Sequence, residues 1–369
     1  NSIQGAGEMK AAVCYEFGKP LVIEEITMRA HRSDEVRVKV AATAICHSDI
    51  HDMHGDFGGS PPFVGGHETA GYVDEVGSDV TCVGAGDHVI VSLLEACGKC
   101  YQCTTGHPYF CEMKTTYDVE GTLTNAKGEG IYQKARVAGF AEYVLVHESQ
   151  LVKIDSGFPM DLACLLACGV ITGFGAVVNR MKVPPMSSVV VIGTGGVGLN
   201  SVQGAVVCGA NPIIAVDILD SKLDRAKEFG ATHGVNSKTG DAAAAVNQIT
   251  GGRGADYAFV TVGSSVALQQ AYSMLARGGS AVMVGLPPTT DPPFAVPAGE
   301  LTITERTITG GFMGSARLSV DVPGIIALYK AGRYKLDELI AGRYPFDRIN
   351  EALQSSMAGE ALRNVITFG

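Results

Sequence analysis

The chain has 369 residues, 46% hydrophobic and 18% charged, with a formal net charge of −10. This length fits about two domains, and the composition excludes a disordered chain. The acidic balance excludes a protein that uses its overall field to hold nucleic acid or an anionic membrane.

Residues 1–8 (NSIQGAGE) lack a basic segment followed by an apolar one, so they read as an extraneous leader before Met9 rather than a signal peptide. Short apolar or alternating runs at 10–15, 21–25 and 36–40 predict strands between turns. Residues 65–91 continue with short segments and many glycines. Residues 97–111 form a cysteine-dense lobe without clear periodicity. Residues 113–140 read as a long loop or excursion, and strand character returns at 141–154. The most membrane-like stretch, 162–178, is only 17 residues long and is broken by three glycines, which predicts a buried core segment.

From about residue 170 the pattern changes. Strands are expected at 189–192, 212–216, 233–235, 257–262 and 280–284. Helices are expected between them at 199–208, 221–229, 241–250 and 265–275. Such alternation, with strands apolar on both faces, predicts a doubly wound parallel sheet and an α/β fold. Residues 301–310 alternate like an edge strand. Terminal helices are expected at 320–331 and 348–357, and a last strand at 364–368.

Gly193, Gly195, Gly196 and Gly198 follow an apolar strand and open a helix, the context a dinucleotide loop requires. Gly193 permits the tight turn, Gly195 the approach of a pyrophosphate, and Gly198 close packing of helix on strand. Asp217 ends the next strand. A carboxylate there accepts ribose hydroxyls and repels a 2′-phosphate, which favours NAD. Lys222 is placed to reach the adenosine ribose; the bland alternatives are a turn aspartate and a solvated lysine.

Cys97, Cys100, Cys103 and Cys111 place four thiols within 15 residues, which suits a closed, structural zinc site. A second, dispersed set comprises Cys46, His67 and one of Cys164 or Cys168. With ten cysteines and no export signal, metal binding in a reducing cytoplasm outranks disulfides.

Taken together, Cys46-His-Ser-Asp49, Gly66-His67-Glu68-x2-Gly71-x5-Gly77-x2-Val80, the four-cysteine lobe, Cys168-Gly-x2-Thr172-Gly173 and the glycine loop with Asp217 resemble the zinc-containing medium-chain alcohol dehydrogenase family. The resemblance implies a β-rich GroES-like catalytic domain at 1–169 and 313–369 and a Rossmann domain at 170–312. It implies a catalytic zinc on Cys46, His67 and Cys168, with Glu68 behind the metal and Asp49 orienting His67. Zinc would acidify an alcohol, Ser48 and His51 would carry its proton away, and NAD would take the hydride. His47 and Arg363 would contact the pyrophosphate. Thr172 and Val197 would pack on the nicotinamide, with Val262 and Val284 also assigned to the cofactor.

The same resemblance places Phe57, Leu93, Thr116, Leu286 and Phe312 around the substrate. Their apolar bias points to a primary, hydrophobic or aromatic alcohol and its aldehyde. Thr115 and Phe57 stand where the glutathione-dependent formaldehyde-oxidising branch carries an arginine and an acid, which argues against that substrate. The alternatives are a secondary alcohol or other hydroxylated substrate, and a non-catalytic NAD-binding structural protein. A homodimer or homotetramer is expected, with 301–310 as a sheet edge.

Overall fold

Strand Gly7–Cys14 pairs antiparallel with Val22–Met28, with Met9 opposite Ile26 and Val13 opposite Val22. A barrel closes through Leu123–Asn125, Gly130–Gln133 and Phe63–Val64. Val13, Ile26, Phe63, Leu123, Phe140 and Leu145 fill one core cluster of this region. The computed structural model describes residues 7–112, 121–359 and 362–369.

Gly7 and Glu8, from the segment read as a leader, pair with Met28 and Thr27 in the barrel. One sequence expectation changes here. The described part of the 113–140 excursion is not a loop, since two short strands within it complete the barrel.

The second sheet of this unit runs in the order Leu151–Lys153, His88–Val91, Glu68–Val76, Glu35–Ala44, Arg363–Thr367, Ile340–Pro345, with Tyr143–His147 also paired to Glu35–Ala44. Val36, Val38, Val40, Val73, Val89 and Val91 interlock in a valine-rich cluster. β-branched side chains suit such a half-buried pleated surface.

A separate compact unit comprises Gly169–Ala316 and Gly324–Lys335, while the first comprises Asn1–Cys168, Arg317–Pro323 and Leu336–Gly369. This division gives 313–316 and 324–335 to the second unit, where the sequence reading gave everything after 312 to the first. Hydrogen bonds explain the difference. Tyr334 donates to Asn200 Oδ1 at 2.7 Å, and the Lys335 N–H donates to Gln203 Oε1 at 2.7 Å.

The second unit's sheet has the order His233–Asn236, Ile213–Asp217, Val189–Ile192, Ala255–Val260, Leu275–Met283, Thr307–Gly310, every neighbouring pair parallel. In sequence order this is 3-2-1-4-5-6, the doubly wound arrangement that binds dinucleotides where the order reverses. Every residue of Val189–Ile192 is buried. Each such side chain contributes roughly 1.5–3 kcal/mol of burial. The alternation at 301–310 does not make one strand. Residues Ala298–Thr304 form a helix, and only Thr307–Gly310 forms the edge strand. Among the described residues no single helix is long and apolar enough to cross a membrane. The apolar run 162–177 is buried throughout.

Candidate active site

Strands Glu35–Ala44 and Glu68–Val76 are antiparallel with Ala44 opposite Glu68. That register brings Cys46, just past one strand, to His67, just before the other. Cys46 caps the helix His47–His54, and its N–H donates to Asp49 Oδ2 at 2.9 Å. Oδ1 of the same buried carboxylate accepts from the Gly66 N–H at 3.0 Å and from His67 Nδ1 at 3.1 Å. An ionised carboxylate only accepts, so Nδ1 carries the ring proton and Nε2 is left for a metal. Gly66 has φ of +85°, and a Cβ there would meet Phe140 at 2.6 Å. Only glycine fits.

Cys168 follows the tight turn Cys164–Ala167, whose last carbonyl accepts from Ser92 Oγ at 3.0 Å. One ligand atom each from Cys46, His67, Glu68 and Cys168 lies within 4.8 Å of the others, and all four residues are buried. Cys164 is turned away, its thiol donating to the Asp161 carbonyl at 3.2 Å. A buried set of two sulfurs, one imidazole and one carboxylate fits zinc by donor type.

The four buried groups strongly perturb one another's protonation. A hydrogen bond from Cys168 and the His67 charge hold the Cys46 thiol well below its ordinary range. The Cys168 thiol is correspondingly held up. Burial pulls His67 down, but Asp49 and Cys46 outweigh it and hold the ring well above its usual value. Burial pushes Glu68 up to about 7 against the pull of Arg363. Glu68 and Arg363 form a buried ion pair. Arg363, expected at a pyrophosphate, is thus engaged by Glu68, 7% exposed.

The Cys97, Cys100, Cys103 and Cys111 sulfurs also lie within 4.8 Å of one another. Backbone N–H groups aim at them: Cys97 N–H at Cys111 Sγ (3.2 Å), Cys100 N–H at Cys97 Sγ (3.3 Å) and Glu112 N–H at Cys100 Sγ (3.5 Å). The Glu112 and Cys103 N–H groups hold the Cys100 thiol down to about 6. Four thiols with such donors fit a closed zinc site, in a lobe where helix Tyr101–Thr104 has no buried residue.

In the second unit, Gly193 has φ of +86°, and a Cβ on Gly198 would lie 1.9 Å from the Gly193 carbonyl oxygen. A Cβ on Gly195 would meet nothing within 4 Å, so the backbone before helix Gly196–Val207 is open to a ligand. Asp217 Oδ2 accepts from the Thr194 N–H (2.8 Å) and Oγ1 (3.0 Å). Its Oδ1 accepts from the N–H groups of Ile218 (2.8 Å) and Leu219 (3.2 Å). The carboxylate therefore braces the loop as well as presenting charge. Thr261, which sequence reasoning missed, donates to the Gly193 carbonyl at 2.6 Å.

The remaining candidates are placed as follows. Ser48 Oγ lies 3.5 Å from Cys46 Sγ. His51 is half-buried, its ring 5.3 Å from that of exposed His47 and 5.0 Å from that of Phe57. Leu93 is half-buried and packs against the valine cluster. Thr172 is buried and donates to the Met313 sulfur at 3.6 Å. Lys222, Val197 and Val284 are half-buried, and Val262 is exposed. Leu286 and Phe312 are 62% and 51% exposed, so neither is core within its unit. Thr115 and Thr116 lie outside the described residues.

Residues 32–156 match the alcohol dehydrogenase GroES-like domain and 196–331 the zinc-binding dehydrogenase domain. The chain is 38% identical over 364 residues to an NDMA-dependent alcohol dehydrogenase of Amycolatopsis methanolica, covering 97% of this chain and 98% of that one. The chain belongs to the zinc-containing medium-chain alcohol dehydrogenase family. Alcohol dehydrogenase B of Mycobacterium tuberculosis is 34% identical over 97% of this chain and 98% of its own length. Among solved structures, the benzyl alcohol dehydrogenase of Acinetobacter calcoaceticus superposes with a TM-score of 0.91 at 36% identity, covering 98% of this chain and all of that one. The zinc-binding alcohol dehydrogenase protein of Burkholderia ambifaria gives 0.93 at 35% identity, over 99% of this chain and 100% of its own. Membership makes this dehydrogenase an enzyme that acts on small molecules.

Proposed function

We propose that this dehydrogenase oxidises a primary, hydrophobic or aromatic alcohol to its aldehyde with NAD. The buried Cys46–His67–Cys168 cluster, with its histidine tautomer set by Asp49, carries the reading. Bound zinc supplies a Lewis acid that acidifies the alcohol, and bound NAD accepts the hydride. Cys46, His67 and Cys168 would hold the catalytic zinc, with the Glu68 carboxylate beside them. Cys97, Cys100, Cys103 and Cys111 hold a second, structural zinc.

The protein's own residues manage the proton. Ser48 Oγ, beside Cys46, accepts the alcohol proton as it gives up its own, and half-buried His51 takes up that proton and releases it to solvent. The glycine loop and the first turn of helix Gly196–Val207 hold the pyrophosphate, and Asp217 disfavours a 2′-phosphate. Val197, Val262, Val284 and Thr172 would flank the nicotinamide, Lys222 would contact the adenosine ribose, and exposed His47 would contact the pyrophosphate. Phe57, Leu286 and Phe312 supply apolar contact for the substrate.

Similarity to a benzyl alcohol dehydrogenase supports an aromatic substrate. The ten cysteines, six of them in the two metal clusters, suit a reducing cytoplasm. The edge strand Thr307–Gly310 suits assembly into a homodimer or homotetramer. The NDMA-dependent relative motivates a second reading, in which turnover requires NDMA.

Zinc-loaded protein assayed with NAD on aliphatic, allylic and aromatic alcohols tests the proposal. NADH formation, fastest with benzyl alcohols, is expected. Turnover that appears only on adding NDMA would favour the second reading. No turnover under either condition would overturn both.

A further inference from the structure

Asp56 belongs to neither metal cluster nor to the glycine loop. Helix His47–His54 ends at Gly55, whose left-handed conformation (φ 78°) turns the chain back. The Asp56 N–H then donates to the His51 carbonyl at 3.0 Å. The same turn carries the Asp56 carboxylate to His51, with Oδ2 2.7 Å from Nδ1. The neighbouring Phe57 ring sits 5.0 Å from the imidazole, and the His47 ring meets it edge-on at 5.3 Å. Backbone, carboxylate and two rings thus fix one imidazole.

We propose that Asp56 is a positioning residue that locks His51 in the Nδ1–H tautomer, so that Nε2 is the atom that takes up the proton. The proposal rests on the reading of His51 as the proton's exit. An ionised carboxylate can only accept, so the proton between the two groups stays on Nδ1. In the neutral ring the lone pair is then on Nε2. When Nε2 gains a proton, the imidazolium keeps its hydrogen bond to Asp56, now strengthened by charge. Release of that Nε2 proton to water restores the starting state, with no net change at Asp56. This assigns Gly55 a second duty beyond ending the helix. A Cβ there would sit 3.1 Å from the Phe17 ring in a left-handed backbone, so the turn that delivers Asp56 is specified by glycine.

The test uses the full-length, zinc-loaded protein and its Asp56→Ala, Asp56→Asn, His51→Gln and Asp56→Ala/His51→Gln variants. Nitrogen NMR of the histidine rings at alkaline pH, with the His51 signal assigned by its loss in His51→Gln, reads the tautomer without any cofactor. Wild type and Asp56→Asn, whose amide oxygen still accepts from Nδ1, are expected to show Nδ1–H. Asp56→Ala is expected to shift towards Nε2–H. In alcohol oxidation Asp56→Ala should lower kcat about tenfold, a modest share of what a positioned base supplies. KM should stay within about twofold, as for a group that does not bind substrate. Asp56→Asn should recover most of the rate, and the double variant should be no slower than His51→Gln alone.

An unchanged tautomer in Asp56→Ala overturns the proposal, as does a double variant showing the product of the two single losses. Wild type that turns over alcohol while His51→Gln matches it overturns the relay instead. An inactive wild type overturns the functional reading, and the ring spectrum still decides whether Asp56 holds His51.

Discussion

Arg363 and Glu68 form an ion pair whose side chains are 7% and 0% exposed, and a Glu68 oxygen lies within 4.8 Å of the Cys46, His67 and Cys168 ligand atoms. Removing one partner strands the other charge in a medium that cannot solvate it. Arg363→Met is therefore expected to cost about 3–5 kcal/mol. Replacing both, as Arg363→Met with Glu68→Leu, should recover much of that loss. Urea unfolding of the three variants checks this. A single variant as stable as wild type would show that water or rearrangement already compensates the charge.

Metal content separates the two cysteine clusters. Wild type is expected to hold two zinc ions per chain by elemental analysis, one for each cluster. Cys46→Ser should drop the count to one and abolish turnover while melting within a few degrees of wild type. Cys100→Ser should also drop it to one, but with a clear fall in melting temperature, because the lobe has little apolar core of its own.

Asp217 has a double role that one substitution can separate. Asp217→Ser removes the charge that opposes a 2′-phosphate and weakens the brace on Thr194. Hydrogen bonds to a charged group contribute about 1.5–3 kcal/mol. NAD affinity should therefore fall at least about tenfold, and the ratio of NADP to NAD turnover should rise. Fluorescence titration with NADH and NADPH measures the affinities and initial rates with NAD and NADP the turnover ratio, and equal loss for the two cofactors would remove the discriminating role.

Glu35 gives a pH signature. Arg29 contacts both its oxygens, at 2.7 and 2.8 Å, and the Arg32 N–H adds a third bond at 2.8 Å. Burial pushes its carboxyl up, but Arg29 and Arg32 outweigh that and hold it below the ordinary range. A depressed carboxyl stabilises the fold above its unfolded pKa, and the benefit disappears as pH falls through the folded value. Glu35→Gln should thus be less stable by about 2 kcal/mol at neutral pH. The gap should close as acid approaches and passes below the usual carboxylate range. Parallel urea curves at several pH values test the sign.

Local spacing made much of the chemistry legible. Cys97 to Cys111 are close enough in sequence to announce a metal. Gly193 to Gly198, followed by Asp217 at the end of the next strand, carry their own structural context. The barrel was less legible, because Leu123–Asn125 and Gly130–Gln133 are too short to show a period and are defined by distant partners such as Ile26 and Met28. The alternation at 301–310 misled for the opposite reason. Thr302 and Thr304 return their hydroxyls to the Ala298 and Glu300 carbonyls, which lets a β-like composition sit in a helix. No spacing rule connects Glu68 to Arg363. Asp56 escaped notice because its role comes from the left-handed turn at Gly55.

Strand Arg363–Thr367 lies beside Glu35–Ala44 in the first unit, although Gly169–Ala316 of the second unit falls between them in sequence. During synthesis the ribosome therefore releases the whole of that stretch before it releases the guanidinium that neutralises Glu68. The second unit's sheet can assemble while the first still waits for its final strand. Nascent chains halted before residue 363 would expose a carboxylate built for a counter-ion that has not yet been made. Neutralisation of Glu68 is thereby tied to the synthesis of residue 363.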